Sequence, residues 1–206
     1  YPTPHAASKI TFTGERMVPM EYLDVPKGKV KFDYRVMFYR HLSSYVFFRR
    51  EVSLKHKVIL DAACGVGYGT AYLSDETEKI VGIDCSSEAA GYARKLYGNK
   101  ATFLCADAQF IPLKDSAADV VCIIHALEHI KDQVVFVKEA MRVLRADGIL
   151  LVSTPNRLQS QYASHYHSKE YTVVELREFL KSYFKHVAIY GLFYKDSFGD
   201  QKKNIA

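Results

Sequence analysis

Five short apolar runs, each bounded by an aspartate or a turn signal, constrain this chain more than any other feature. Val58–Leu60 ends in Asp61, and Ile80–Ile83 ends in Asp84. Thr102–Cys105 is followed by Asp107, Val120–Ile124 is preceded by Asp119, and Ile149–Ser153 is closed by Thr154-Pro155. Unbroken apolar strands of this kind belong to a sheet covered on both faces. Helical stripes lie between them. Ala90, Ala93 and Tyr97 follow Ser86-Ser87; Val134, Val137, Met141 and Leu144 follow Asp132, a fitting N-cap, and stop before the turn signal Asp147-Gly148. Thr172-Val173-Val174-Glu175 has capping-box spacing, with Leu176, Phe179, Leu180 and Tyr183 as the apolar face behind it. Val187–Tyr190 reads as a further strand. Strand–helix alternation over more than a hundred residues predicts an α/β fold: an open, doubly wound, mostly parallel sheet with helices on both faces.

The first 56 residues differ. Residues 1–30 carry four of the six prolines and read as an extended arm. Residues 34–52 read as a helix, with Phe38, Leu42, Tyr45 and Val46 on one side and Arg35, Arg40, Arg49 and Arg50 among the polar positions. The expected organisation is an arm and helix over 1–56, acting as a cap or substrate wall, and a core over 57–206. A chain of 206 residues that is 49% hydrophobic can bury such a core, and no apolar run is long enough to cross a bilayer. The net charge of +5 is spread along the chain and permits an anionic substrate without demanding nucleic acid. Cys64, Cys85, Cys105 and Cys122 form no CxxC pair and read as buried thiols. With no basic-then-apolar leader at the start, they suggest a cytoplasmic setting.

Ligands of open parallel sheets bind at the carboxyl ends of the strands. The first strand runs into Asp61-Ala62-Ala63-Cys64-Gly65-Val66-Gly67-Tyr68-Gly69-Thr70, whose alternate glycines allow a tight turn and close approach to a ligand. Asp84 follows Gly67 by seventeen residues and can accept from both hydroxyls of a ribose. Asp107 lies in a polar loop suited to an adenine edge. Asp61 beside the glycines repels a pyrophosphate and suits an ammonium group, which favours S-adenosylmethionine over a nicotinamide dinucleotide.

Val58–Gly69, Val81–Cys85, Cys105–Gln109 and Asp119–Ile130 resemble the successive motifs of class I S-adenosylmethionine-dependent methyltransferases. Ile111-Pro112-Leu113 and Ala140–Gly148 are similar to the small-molecule branch of that superfamily. The resemblance implies a Rossmann-like sheet of about six or seven strands, the last antiparallel. It places Asp61, Gly65 and Gly67 beside the methionine part of the cofactor, with Ala62 and Tyr68 in the same set. Asp84 would hold the ribose, Cys85 would lie beside the adenine, Asp107 and Ala108 would read the adenine, and Ile124 and His125 would close the site. Asp61-Ala62-Ala63-Cys64-Gly65 departs from the usual D-I/V-G-C-G, with Ala63 where a glycine is usual. Phe12–Pro19, His41-Leu42, Ser153–Arg157 and His167–Thr172 resemble bacterial enzymes associated with surface-polysaccharide or nucleotide-sugar pathways.

Methyl transfer to a hydroxyl needs a proton acceptor. His125-Ala126-Leu127-Glu128-His129 supplies candidates, and we single out His129 and Glu128 as catalytic. His129 is otherwise a structural histidine bonded to a backbone group. His125 and His129, four apart, mimic a metal pair, but no third ligand stands at a fitting spacing, so no metal is expected. Asn156, Arg157 and His167 are substrate candidates, Arg157 as a phosphate clamp; Arg16 and Tyr45 would fold over the site from the arm. The expected reaction is methylation of a small hydroxylated acceptor, a sugar or an anionic nucleotide-sugar, with a homodimer as candidate assembly. N- or C-methylation of another metabolite or RNA is the alternative, and a catalytically inactive cofactor-binding subunit is the second. Nothing resembles a basic stripe for nucleic acid.

Overall fold

The computed structural model describes residues 17, 19, 32–160, 165–194 and 200–204. Arg16 and nearly all of the expected arm lie outside the described residues. The chain divides into two compact units. One joins the chain up to Leu127 with Asp132–Ser153, and the other joins Glu128–Lys131 with the chain from Thr154 on.

The first unit holds a five-stranded parallel sheet of β1 (Val58–Ala62), β2 (Lys79–Asp84), β3 (Thr102–Cys105), β4 (Ala118–Ile124) and β5 (Leu144–Ser153). Its order is β3-β2-β1-β4-β5. The two central strands and β2 are buried nearly throughout, whereas the edge strands β3 and β5 are not. Ile59, Leu60, Ile83 and Ile123 keep at most 1% of their surface exposed. Each such side chain contributes roughly 1.5–3 kcal/mol of burial. The order reverses between β1 and β4. Right-handed crossovers therefore put the helices after β1 and β2 on one face and the helix after β4 on the other.

Among the described residues this unit has four α-helices: α1 (Phe32–Glu51), α2 (Tyr68–Leu73), α3 (Ser87–Tyr97) and α4 (Gln133–Val143). Local chemistry starts two of them where expected. The Ser86 side chain accepts from Ala89 N at the head of α3. Asp132 accepts from the N–H groups of Val134 and Val135 at the head of α4. The Asp147-Gly148 signal does not end a strand-free turn; Asp147 takes φ +63° inside β5, and the pairing register of β4 with β5 shifts nearby. Arg142 of α4 ties two distant motifs together. It donates to the carbonyls of Ile111 and Leu113 and to the carboxylates of Glu139 and Asp115.

The second unit contains α5 (Val173–Lys181), whose Thr172–Glu175 capping box forms as the spacing predicts. It also contains β6 (Tyr190–Tyr194) and β7 (Asp200–Asn204), paired antiparallel in a sheet of their own. This corrects the expected strand count: among the described residues the main sheet has five strands, and the strand expected over 187–190 begins at Tyr190 and pairs outside that sheet. The polar sequence over 195–203 reads as loop, yet Asp200–Asn204 forms β7.

The turn after β1 alternates left-handed residues: Ala63 at φ +57°, Gly65 at +56° and Gly67 at +82°. Ala63 bears the steric cost of that conformation, roughly 1–2 kcal/mol for an L-residue. Ala63→Gly relieves it and loses part of the gain to unfolded-chain entropy. The expected outcome is a net stabilisation of about 0.5–1 kcal/mol, read as a rise in the urea midpoint with unchanged m-value.

Candidate active site

Asp61, in β1 beside the switch point, has no exposed surface. Its carboxylate accepts from Thr70 Oγ1 at 2.6 Å, from Tyr45 Oη at 3.2 and 3.4 Å, and from Cys122 Sγ at 3.4 Å. Burial pushes its pKa up to about 6, against the opposing pull of these donors. The expected contact between Asp61 and a ligand's ammonium is therefore replaced by enclosure within the protein. Tyr45 is corrected with it. Only 4% exposed, it packs its ring so closely on Gly69 that a Cβ there would lie 2.0 Å from a ring carbon. Tyr45 is a support beneath the glycine turn, not an open wall.

The three glycines do different work. A Cβ at Gly67 would meet Ala93 and Phe103 at 2.7 Å, so this glycine serves packing. A Cβ at Gly65 would meet nothing within 4 Å, so here the backbone borders open space. Gly65 N donates to Asp84 Oδ2 at 2.8 Å, and Ser86 N donates to Asp84 Oδ1 at 2.9 Å. Each Asp84 oxygen thus spends one lone pair on holding its loop and keeps a second for a ligand hydroxyl. Ala62 is buried in β1 and Tyr68, half-buried, opens α2, with the Phe38 ring 5.1 Å from its own.

Asp107 follows β3. Its Oδ1 accepts from Gln109 N at 2.8 Å, forming a local turn, and Ala108 beside it is buried. Cys85 and Cys105 are exposed, unlike Cys64 and Cys122, which corrects the reading of four buried thiols. Cys105 Sγ reaches the Cys85 carbonyl at 3.6 Å across the register pair of Asp84 and Cys105. Strand pairing thus gathers Asp84, Cys85 and Cys105 at one edge of the sheet's carboxyl end. Ile124 ends β4. His125 takes φ +46°, donates its N–H to Ser153 O, bonds Ser44 Oγ through Nε2 at 3.3 Å, and stacks on His41 at 4.3 Å.

In the second unit, Glu128, His129 and His167 come together. Glu128 is 2% exposed and accepts from Thr154 Oγ1 at 2.9 Å; burial pushes its pKa up to about 7. His129 Nδ1 donates to the Tyr166 carbonyl at 3.1 Å, since a carbonyl can only accept. The His129 and His167 rings meet edge to face at 4.8 Å, and His167 Nδ1 bonds the Glu170 carboxylate. His167, not the His125 of the pair considered in the sequence, is thus the residue that joins His129 and Glu128. Thirty-eight residues separate it from His129, so only the fold could bring it in. Asn156 pairs with Tyr171, and Arg157 acts electrostatically on Glu170, the carboxylate that holds His167. Asn156 Oδ1 accepts from Leu158 N in a local turn, and exposed Arg157 pairs with Glu175 at 2.7 Å.

Parallel order 3-2-1-4-5, a left-handed glycine turn after β1, and carboxylates at the ends of β2 and β3 agree with the arrangement that the sequence resemblance implies for an S-adenosylmethionine site. The chain fits that cofactor: Gly65 leaves room for close approach, and Asp84 and Asp107 offer acceptors suited to a cationic adenosyl ligand. Residues 60–152 match the family described as a methyltransferase domain. The chain is 32% identical over 187 residues to a "Probable S-adenosylmethionine-dependent methyltransferase" of Mycolicibacterium smegmatis, covering 85% of this chain and 65% of that one. It is 32% identical over 191 residues to a protein of the same description from Mycobacterium tuberculosis, covering 90% and 65%. The chain thus spans just under two thirds of the length of these relatives. A methyltransferase structure from Thermotoga maritima shares the fold, with a TM-score of 0.69, 22% identity and coverage of 84% and 89%. Residues 60–152 are thus similar to a methyltransferase domain, and the chain is similar to S-adenosylmethionine-dependent methyltransferases on either side of it.

The raised pKa of Asp61 makes a prediction. The native state holds its proton more tightly than the unfolded chain, so its stabilising contribution is present below about pH 4 and is lost as pH rises to about 6. The difference is on the order of 3 kcal/mol at most. Asp61→Asn removes this component. Urea unfolding at pH 4 and pH 7 should show the variant less destabilised relative to wild type at pH 7 than at pH 4.

Proposed function

We propose that this chain transfers a methyl group from S-adenosylmethionine to a hydroxyl of a small acceptor, a sugar or nucleotide-sugar. The observation that carries the hydroxyl is the gathering of Glu128, His129 and His167. An amine acceptor needs little help with its proton, whereas a hydroxyl needs a group to remove it, and this cluster concentrates such groups.

The bound cofactor supplies a methyl already activated on a sulfonium. The chain's own task is to place the acceptor oxygen about 3 Å from that carbon and to manage one proton. Asp84 anchors the ribose through its remaining lone pairs, and the Asp107 turn with Ala108 lines the adenine. Glu128 and His129 take part in removing the acceptor's proton. Arg157, whose pair with Glu175 is exposed and screened by solvent, can exchange that partner for a substrate phosphate. The net charge of +5 suits the same anionic acceptor.

The test is incubation with S-adenosylmethionine and a panel of sugars, nucleotide-sugars and small amines, with products read by mass spectrometry for the gain of one methyl. Transfer to hydroxylated acceptors, falling about 100-fold or more in His129→Ala, supports the proposal. Transfer to amines alone overturns the hydroxyl assignment. Cofactor binding with no transfer to any acceptor favours an inactive binding subunit.

A further inference from the structure

Two imidazoles and a carboxylate meet in the second unit in a manner that proton removal alone does not require. Ligand atoms of Glu128, His129 and His167 lie within 4.8 Å of one another. Each is held by a partner of the type that orients metal ligands. His129 gives its Nδ1 proton to a backbone carbonyl, His167 gives its own to the Glu170 carboxylate, and Glu128 accepts from the Thr154 hydroxyl. Imidazoles that bind a cation through one nitrogen characteristically donate from the other to a carbonyl or carboxylate.

We propose that Glu128, His129 and His167 form a binding site for a first-row divalent cation such as zinc or manganese. This rests on the transferase reading above and names its acceptor more narrowly. A set of two nitrogens and one oxygen suits such ions better than magnesium or calcium, which favour oxygen throughout. Bonds of about 2.0–2.2 Å place neighbouring ligand atoms roughly 3 Å apart, so the three side chains close inward on binding. Three protein ligands leave open positions, and two of these accept the adjacent oxygens of a vicinal diol, as a sugar presents.

The test is a titration of the metal-stripped full chain with Co²⁺, read by visible absorption, with chelator reversal. One equivalent should bind with bands of mixed nitrogen and oxygen ligation. His129→Ala and His167→Gln should each weaken binding by at least about 100-fold, and Glu170→Gln, which acts through His167, by about 10-fold. Unfolding curves confirm that each variant folds, and His186→Ala, an exposed histidine of the same unit, should bind as wild type. Absence of saturable binding, or equal binding in His129→Ala and His167→Gln, overturns the proposal. S-adenosylhomocysteine titrated into the same proteins distinguishes the two readings. Its binding in a chain that takes no Co²⁺ refutes the cation site alone, and its failure to bind counts against the transferase reading itself.

Discussion

A carboxylate sealed inside the protein organises the carboxyl end of the sheet. Asp61 gathers donors from α1, α2 and β4 onto a single side chain of β1. An acid with no exposed surface is tolerable only when such donors surround it. Removing one strands part of a buried polar group, at about 1–3 kcal/mol. The same bonds fix where α2 begins, seat Tyr45 under Gly69, and hold the left-handed turn between them. The ligand-facing backbone at Gly65 is therefore set by an interaction that faces inward.

The neighbouring strand ends follow the same economy. Asp84 braces the glycine turn and the start of α3 with one lone pair on each oxygen, which leaves it rigid and still able to accept. Arg142 locks the 111–115 loop to α4 with five donated hydrogen bonds. This gives a physical reason why the Ile111-Pro112-Leu113 and Ala140–Gly148 motifs occur together. In the second unit, Tyr166 and Glu170 orient the two histidines. In each place a polar group aligns a neighbour before any ligand arrives, which lowers the entropic cost of binding.

Much of the fold was legible because its signals are local. Unbroken apolar runs mark strands covered on both faces, and Ser86, Asp132 and the Thr172–Glu175 box mark helix starts within three residues of the bonds they make. Asp84 was legible for the same reason, standing at the end of its strand. What escaped depended on distant partners. Periodicity puts Tyr45 on an apolar helix face but does not say whether that face meets a ligand or Gly69. Cys85 and Cys105 continue apolar runs, yet each emerges where its strand ends. The strand near Tyr190 was visible, but its partner β7 is polar in sequence and reads as loop. His167 joins His129 across 38 residues, and its only sequence cue was a histidine-bearing loop near Glu170.

The most direct test of the account is calorimetric titration of the chain with S-adenosylhomocysteine, with NAD as control. The account predicts micromolar binding of the first, none of the second, and a loss of roughly 10- to 100-fold for the first in Asp84→Ala, as expected for ribose bonds to a charged acceptor. Binding of NAD, or an unchanged affinity in Asp84→Ala, would contradict it.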